Sequence, residues 1–438
     1  MRAESATRRR LLVVQAAALG WDFLRSRAGS ELEGLTFSPM ETILPALTCP
    51  VQASFRTGKH PAGHGMVANG LFDRARRRTA FWEQSAGLVA GGRIWDRFRA
   101  RGQSVAMLFW QQSLGESVDM VLSPAPIHKH HGGMIQDCYS KPGPLYGELV
   151  RRLGAPFNLR HYWGPMASAR SSSWIARATC EVMAGCPEQP DLCMTYLPVL
   201  DYDLQRYGPD HSRSLKALNE LAGQLGMLRD ACDRHGYELL VYGDYAIERC
   251  RGGAVFPNRA LRRTGFLHTR TVGGRLYPDF YESRAFAVVD HQVAHVYVSN
   301  TADVDRIRDA LRQIDGVAAV LAPKDLDGGR LASANSGELV VLAAPGRWLA
   351  YPWWDRSIEE PDYAGHVDIH SKPGYDPCEL FWGWPPGCVS RDADRISGTH
   401  GLNGPGREAC WAATFLKADP LSLIELAGKT VEWMEAMA

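Results

Sequence analysis

The sequence predicts an α/β fold: a mostly parallel central sheet flanked by helices, with a small inserted α+β lid. Three observations carry that prediction. Continuous apolar runs recur at "LLVVQAAA", "SVAMLFW" (104–110), "LCMTYLPVL" (192–200) and "ELLVYGD" (238–244), and strands buried on both faces read this way. Between the last two runs lies a helical pattern from Ser214 to His235. Leu215, Leu218, Leu221, Leu225 and Leu228 recur there at helical spacing, so helices separate the strands. Two runs lead into aspartates, Asp201 and Asp244, and the carboxyl ends of parallel strands are where such folds place their sites.

The first element needs a choice. "RRRLLVVQAAALG" imitates a secretory signal, with a basic start, an apolar run and small residues. The apolar run is short, and "GWDFLRSR" continues at once as a helix, so the expectation is an uncleaved first buried strand behind a basic tail. Asp22 in that helix reads as a cap or a surface contact. The stretch 71–175 is rich in Trp and His and weakly periodic, and is expected to wrap the site with loops and short helices. Near residue 284 a second unit begins. "AFAVVDHQVAHVYVS" reads as one or two strands, and "TADVDRIRDALRQIDG" as an amphipathic helix with Val304, Ile307, Leu311 and Ile314 on one face. "VAAVLAP" and "GELVVLAAP" read as further strands. The expected division is a core over 1–265, a lid over 266–350 and the rest of the core over 351–438.

The bulk numbers set limits. A chain of 438 residues exceeds one typical core. A net charge of +1 with 22% charged residues gives no reason to expect nucleic acid or an anionic membrane as partner. No run reaches the 18 apolar residues of a membrane helix. The expectation is a cytoplasmic protein with a small-molecule substrate, and homodimerisation is compatible with it. Ten cysteines without a CxxC pair read as reduced, mostly buried thiols.

The chemistry gathers in "LTCPVQASFRTGKHPAGHGMVANG" (47–70). Pro50 suits the first turn of a helix, Val51 and Phe55 lie a turn apart, and Gly58 can end it. Thr48 then stands at a helix N-terminus, where free N–H groups and the helix dipole favour an anion. Two roles fit that place: an N-cap, or a nucleophile, which requires a base or a metal to activate the hydroxyl. Cys49 reads as a buried thiol. Arg56, Lys59 and His60 read as a solvated face unless they turn to the cleft.

This stretch resembles the nucleophile motif of the alkaline phosphatase superfamily, in the branch of type I phosphodiesterases/nucleotide pyrophosphatases and phosphonoacetate hydrolase. Thr48, Pro50, Thr57-Gly58, Pro61, His64-Gly65 and Asn69 match its pattern, and "YLPVLDYDLQRYGP" (196–209), "VYGDYAI" (241–247), "DHQVAHVYV" (290–298) and "GTHG" (398–401) extend the likeness over most of the chain. The whole also looks like nucleotide pyrophosphatases of bacterial biosynthetic clusters. The resemblance implies an alkaline phosphatase-like core, Thr48 as nucleophile, Asn69 on a phosphoryl oxygen, and two zinc ions that clamp the reacting group.

The implied metal ligands are only half present. The first falls on Ala17, and no acidic residue occurs between Arg8 and Trp21. The next pair is Asp201 with Gln205 in place of histidine. The third is Asp244 with Tyr245 in place of histidine, and His400 matches the last. Metal would therefore fall to Asp201, Asp244 and His400, as one divalent ion (Zn, Mn or Fe) or none. Gln205 is expected to bind substrate and Tyr245 to act as acid or base. Further candidates are Asp290, His291 and His295, Glu248, the "HKHH" run (128–131), and Asp368 with His370, which would share one face of a strand. His370 is the one taken as a substrate contact. Trp163, Trp174 and "YPWWD" (351–355) stack on a flat group or pack internally. The implied function is a divergent phosphodiesterase or phosphohydrolase with a reduced or rebuilt metal site. The alternatives are a metal-free member with a different reaction in specialised metabolism, and a non-catalytic binding protein.

Overall fold

The computed structural model describes residues 9–131, 133–416 and 421–436. The basic tail falls outside them up to residue 8. Strand β1 (Arg10–Ala16) is buried from Leu11 onward, and each such aliphatic side chain contributes roughly 1.5–3 kcal/mol by leaving water. Helix α1 (Trp21–Ala28) follows and buries Phe23 and Leu24, while Asp22 is exposed and pairs with Arg25 at 3.3 Å. Then come β2 (Ser38–Glu41) and α2 (Thr48–Thr57), which ends at Gly58 in the left-handed region. The stretch expected as wrapping loops contributes β3 (Val105–Leu108), β4 (Met120–Pro124) and β5 (Cys138–Lys141). Only the first of these had a readable apolar run; β4 is short and β5 is an edge strand with exposed positions.

Next are α3 (Ala169–Met183), β6 (Leu192–Leu197), α4 (Val199–Tyr207), α5 (Ser212–His235) and β7 (Tyr237–Gly243). On α5, Leu218, Leu221, Leu225 and Leu228 are buried, whereas Leu215 at the end of the stripe is exposed. The second unit holds β8 (Ala285–Asp290), β9 (Val293–Val298), α6 (Val304–Arg312), β10 (Val317–Leu321) and β11 (Leu339–Ala343). The chain returns with β12 (Ala409–Ala413), β13 (Leu421–Ser422) and α7 (Leu423–Glu435), which packs on α2.

The nine-stranded sheet runs β5-β4-β3-β6-β1-β7-β12-β2-β13. Its centre, from β4 to β7, is parallel throughout, and antiparallel pairings occur at β5, β12 and β2. The second sheet, β8-β9-β11-β10, is antiparallel, with Ile307 and Leu311 of α6 buried. Its hydrophobic core also takes in Phe72, Phe81, Leu261, Trp353, Trp354 and Tyr375 from outside that segment. The tryptophans of "YPWWD" therefore pack internally. Among the described residues no helix is long and apolar enough to cross a membrane.

The register positions the site. Ala16 of β1 is level with Leu197 of β6 and with Gly243 of β7. The residues that follow these three strands thus emerge side by side. Gly243 is tightly held there, because a Cβ at this position would meet Leu19 O at 2.1 Å. Gly243→Ala is expected to lower the unfolding free energy by about 1–3 kcal/mol, measured by urea denaturation, because backbone has to move to admit the methyl group.

Candidate active site

The site is assembled at that edge from segments far apart in the chain. Thr48 is the first residue of α2, with Leu47 in the N-cap place, so Thr48 is not itself the cap. Asn69 Oδ1 accepts the Cys49 N–H at 2.9 Å and so occupies the start of the helix. Asp201 is not at the strand end but in the first turn of α4, and Gln205 lies one turn further on the same face. Asp244 and Tyr245 follow β7 directly, and His400 follows the short strand Gly398–Thr399. The hairpin tip between β8 and β9 brings His291 against His400, with the Gln292 N–H donating to the His400 carbonyl at 3.0 Å.

The four rings Tyr245, His400, His291 and Tyr375 form one stack. Their successive centroids are 3.5, 3.7 and 3.8 Å apart. Hydrogen bonds close the stack into a ring. The Tyr245 hydroxyl donates to Asp201 Oδ1 at 3.0 Å, Gln205 Nε2 donates to Asp201 Oδ2 at 2.7 Å, and the Tyr375 hydroxyl donates to Gln205 Oε1 at 2.9 Å. Thr48 faces the Tyr245 hydroxyl at the cavity floor and is among the groups that favour its charged form, against the burial that raises it. Asp244 is enclosed separately. Its Oδ1 accepts the N–H groups of Ala18 (2.9 Å) and Tyr245 (3.0 Å), and its Oδ2 accepts Gln15 Nε2 at 2.9 Å. Ala18 is in the left-handed region (φ 59°), a conformation uncommon outside glycine.

Among the described residues neither carboxylate forms an ion pair with an arginine or lysine, and Arg206 acts on Asp201 only weakly. Burial pushes Asp201 up to about 6 and Asp244 up to about 8, against the hydrogen bonds that favour the charged form. His400 Nδ1 lies 2.8 Å from the Ala46 carbonyl. A carbonyl only accepts, so Nδ1 carries the proton and Nε2 of the neutral ring is a lone pair. His291 Nδ1 lies 2.8 Å from Asp290 Oδ1. Burial holds both imidazoles well below their usual range, and Nε2 of each is buried with no hydrogen-bond partner.

Above this floor opens a cavity of about 580 Å³, walled by Trp82, Tyr162, Trp163, Tyr375 and Trp382. Among the described residues that line it, Arg160 is the one arginine or lysine, and it is exposed.

A sequence model of type I phosphodiesterases/nucleotide pyrophosphatases matches residues 24–376. The chain belongs to that family. Compared with curated proteins by sequence, it matches none. Among solved structures it is similar to phosphonoacetate hydrolase from Sinorhizobium meliloti 1021 bound to phosphonoformate. The TM-score is 0.64 at 15% identity, over 98% of this chain and 96% of that one. It is also similar to murine ectonucleotide pyrophosphatase/phosphodiesterase 5, with a TM-score of 0.62 at 14% identity over 97% and 95%. The human counterpart gives 0.63 at 13% over the same shares. These likenesses establish the alkaline phosphatase-like fold.

The two-zinc arrangement implied by the family resemblance does not fit these residues. Ala17 offers no ligand atom. Gln205 has both ends of its amide engaged, and Tyr245 points its hydroxyl at Asp201. The His400 ring is stacked between Tyr245 and His291, with centroids 3.5 and 3.7 Å away, so both of its faces are filled by side chains. Among the described residues, no group of three or more His, Cys, Asp or Glu is arranged to hold a metal. Gln15 and the Ala18 N–H supply to Asp244 the positive hydrogen-bonding surface that an ion would otherwise provide.

The remaining candidates separate cleanly. "VDIH" is a turn rather than a strand, so Asp368 and His370 share no strand face. His370 is exposed near the cavity mouth, its Nδ1 on the Phe81 carbonyl at 3.0 Å and its ring 6.3 Å from His128. The other residues of "HKHH" are exposed. His295 uses both ring nitrogens, on Val67 O and the Gly337 N–H. Glu248 pairs with Arg407 at 3.0 Å. Burial pushes the Cys49 thiol up to about 12. Arg56 faces neither cleft nor solvent: it is buried, donating to the Gln111 and Gln112 carbonyls beside Glu116. Lys59 is exposed and His60 lies on another surface. Trp163 lines the cavity and donates to Glu379, while Trp174 packs below and donates to Ala155 O. Sequence reasoning missed Gln15 and Tyr375. Gln15 had a signal, a polar residue inside an apolar run; Tyr375, in a loop, had none.

The raised Asp244 gives a pH prediction. In the unfolded chain an aspartate ionises near 3.9, whereas in the fold Asp244 ionises near 8. Its contribution is therefore fully present below about pH 4 and is lost as pH rises toward 8. Asp244→Asn has no such loss. The unfolding free energy of Asp244→Asn minus that of the unaltered protein is expected to rise between pH 5 and 8, measured by urea denaturation. A flat difference contradicts the buried, uncompensated carboxyl.

Proposed function

We propose that this protein is a phosphodiesterase-type enzyme that attacks a phosphoryl centre with Thr48 Oγ, without the two-zinc cluster, on a substrate bearing a flat apolar group. The observation that carries the reading is the contact sequence Thr48–Tyr245–Asp201 at the floor of an aromatic cavity. It offers the threonine proton a route that needs no ion. As Oγ bonds to phosphorus, the bond from phosphorus to the leaving oxygen breaks and the leaving group departs as its anion, to be protonated by solvent; the Oγ proton passes to the Tyr245 oxygen while the Tyr245 proton passes to Asp201 Oδ1. The start of α2 favours the anion that develops. Asn69 keeps the helix start in place, and Gln205 holds Asp201. The aromatic walls suit a planar substituent. An inactive threonine-to-alanine variant of murine ectonucleotide pyrophosphatase/phosphodiesterase 5, in complex with AMP, is a structural relative (TM-score 0.61, 14% identity, 98% of this chain and 95% of that one). That supports a threonine-centred reaction here.

A second reading has its own observation. The cavity floor carries the carboxyl group of Asp201, and among the described residues that line the cavity the one arginine or lysine is the exposed Arg160, a poor setting for a multiply charged phosphate. The same threonine and relay suit attack on a neutral carbonyl, which is acyl transfer in specialised metabolism.

The test uses bis(4-nitrophenyl) phosphate and 4-nitrophenyl esters with a chelator present. Thr48→Ala is expected to reduce phosphodiester turnover by at least about 10³-fold. Tyr245→Phe is expected to reduce it by about 10²-fold, with binding retained. Turnover that disappears with the chelator and returns with zinc sinks the metal-free route. Esters cleaved in place of the phosphodiester select the second reading.

A further inference from the structure

We propose that Trp163 is the residue that selects the flat group of the substrate, and that Glu379 is its positioning residue, fixing the indole through a buried ion group with Lys372 and Asp376. The assignment rests on the reading above that the substrate bears a flat apolar group. Trp163 lines the same cavity as Thr48. Its Nε1–H donates to Glu379 Oε2 at 2.6 Å. The other oxygen, Oε1, meets Lys372 Nζ at 2.7 Å and accepts the Asp368 N–H at 2.9 Å. Lys372 also donates to Asp376 Oδ2 at 2.8 Å. Lys372 and Glu379 are each 1% exposed. Burial raises Glu379 against the pull of Lys372, and N–H donors on both of its oxygens favour the ionised form.

Satisfying an indole N–H does not by itself account for this arrangement. Trp95, Trp110, Trp348 and Trp411 keep Nε1 buried without a hydrogen-bond partner. Trp174 and Trp353 donate to backbone carbonyls. Among the described tryptophans, Trp163 is the one that donates to a carboxylate, and it is the one of these seven that lines the cavity. Burying an ammonium and two carboxylates gains little stability over apolar residues of the same volume. What the ion group supplies is direction. A hydrogen bond to a carboxylate is shorter and stronger than one between neutral groups, and here it sets the orientation of the ring.

The backbone beside Trp163 is held separately. Arg206 of α4, itself buried, donates to the carbonyls of Gly164 (3.2 Å), Pro165 (3.3 Å) and Ala167 (2.9 Å). The segment that supplies Lys372 and Glu379 also carries Tyr375. The Tyr375 ring centroid lies 5.7 Å from that of Trp163, at 55°, and 6.4 Å from that of Trp82, at 63°. Through its hydroxyl Tyr375 donates to Gln205, which donates to Asp201, so the wall and the floor share one bonded framework. Between these three rings and the ion group the free space is about 10 Å³, room for one water at most. The indole has no space to fall back, and a flat group placed against it meets a ring of fixed orientation.

The experiment is isothermal titration calorimetry with 2-naphthol and with its saturated analogue, decahydro-2-naphthol. The unaltered protein is expected to bind the flat ring about 10-fold more tightly, and Trp163→Leu to abolish that preference. Trp163→Phe, which keeps a flat ring without the N–H, is expected to lower it about threefold. Glu379→Gln is expected to lower it about threefold in the unaltered background and not at all beside Trp163→Phe, because the acid acts through the indole. In turnover of bis(4-nitrophenyl) phosphate, Trp163→Leu is expected to raise KM by about 10-fold at unchanged kcat. Circular dichroism reports whether each variant is folded, and Trp163→Phe, which leaves the ion group intact, decides the case if Glu379→Gln is not. Full preference in Trp163→Leu, or no preference in the unaltered protein, overturns the role of Trp163. Full preference in Trp163→Phe, or an equal fall on Glu379→Gln in both backgrounds, overturns the positioning role of Glu379. A preference for the flat ring without phosphodiester turnover in the unaltered protein overturns the phosphodiesterase reading and leaves the assignment of Trp163 standing.

Discussion

The site depends on keeping two carboxyl groups, Asp201 and Asp244, buried without an arginine or lysine ion pair among the described residues. An ionised carboxylate stripped of water is held only if it is paired or richly hydrogen-bonded. Here Asp244 accepts three donors, from Gln15, Ala18 and Tyr245, and Asp201 accepts two, from Gln205 and Tyr245. Even so, burial keeps both above the usual carboxylate range. Each change from the family pattern follows from this constraint. Tyr245 and Gln205, where histidine ligands are expected, are hydrogen-bond donors to the carboxylate that stays behind. Ala17 removes a third negative charge from the same edge.

The aromatic stack then acts as the scaffold that the metals would otherwise supply. Tyr245, His400, His291 and Tyr375 fill the volume beside Asp201 with flat groups whose polar edges close a hydrogen-bonded ring. The consequence is a site that is neutral or weakly acidic, and rigid because its members hold one another. Those two properties describe a hydrogen-bonded polar floor at the foot of an aromatic-walled cavity.

Much of the fold was legible in the sequence because burial on both faces leaves an unbroken apolar run. β1, β3, β6 and β7 each had one, and α5 and α6 had clear helical stripes. β4 and β5 lacked such a signal. The site was legible where the chemistry is local, as at Thr48 with its helix start. It was illegible where a partner lies far along the chain: Gln15 reaches Asp244 across 229 positions and Tyr375 reaches Gln205 across 170.

By itself, the sequence determined the α/β class, the family motif around Thr48, and the loss of ligands at Ala17, Gln205 and Tyr245, because these are properties of residue identity and spacing. Only the tertiary structure decided what replaced the ligands. Hydrogen bonds and ring stacking act over a few ångströms between segments that folding alone brings together. The direction in which the Tyr245 hydroxyl points, the tautomer of His400 and the unpartnered Nε2 of His291 therefore belong to the fold and not to the string of letters.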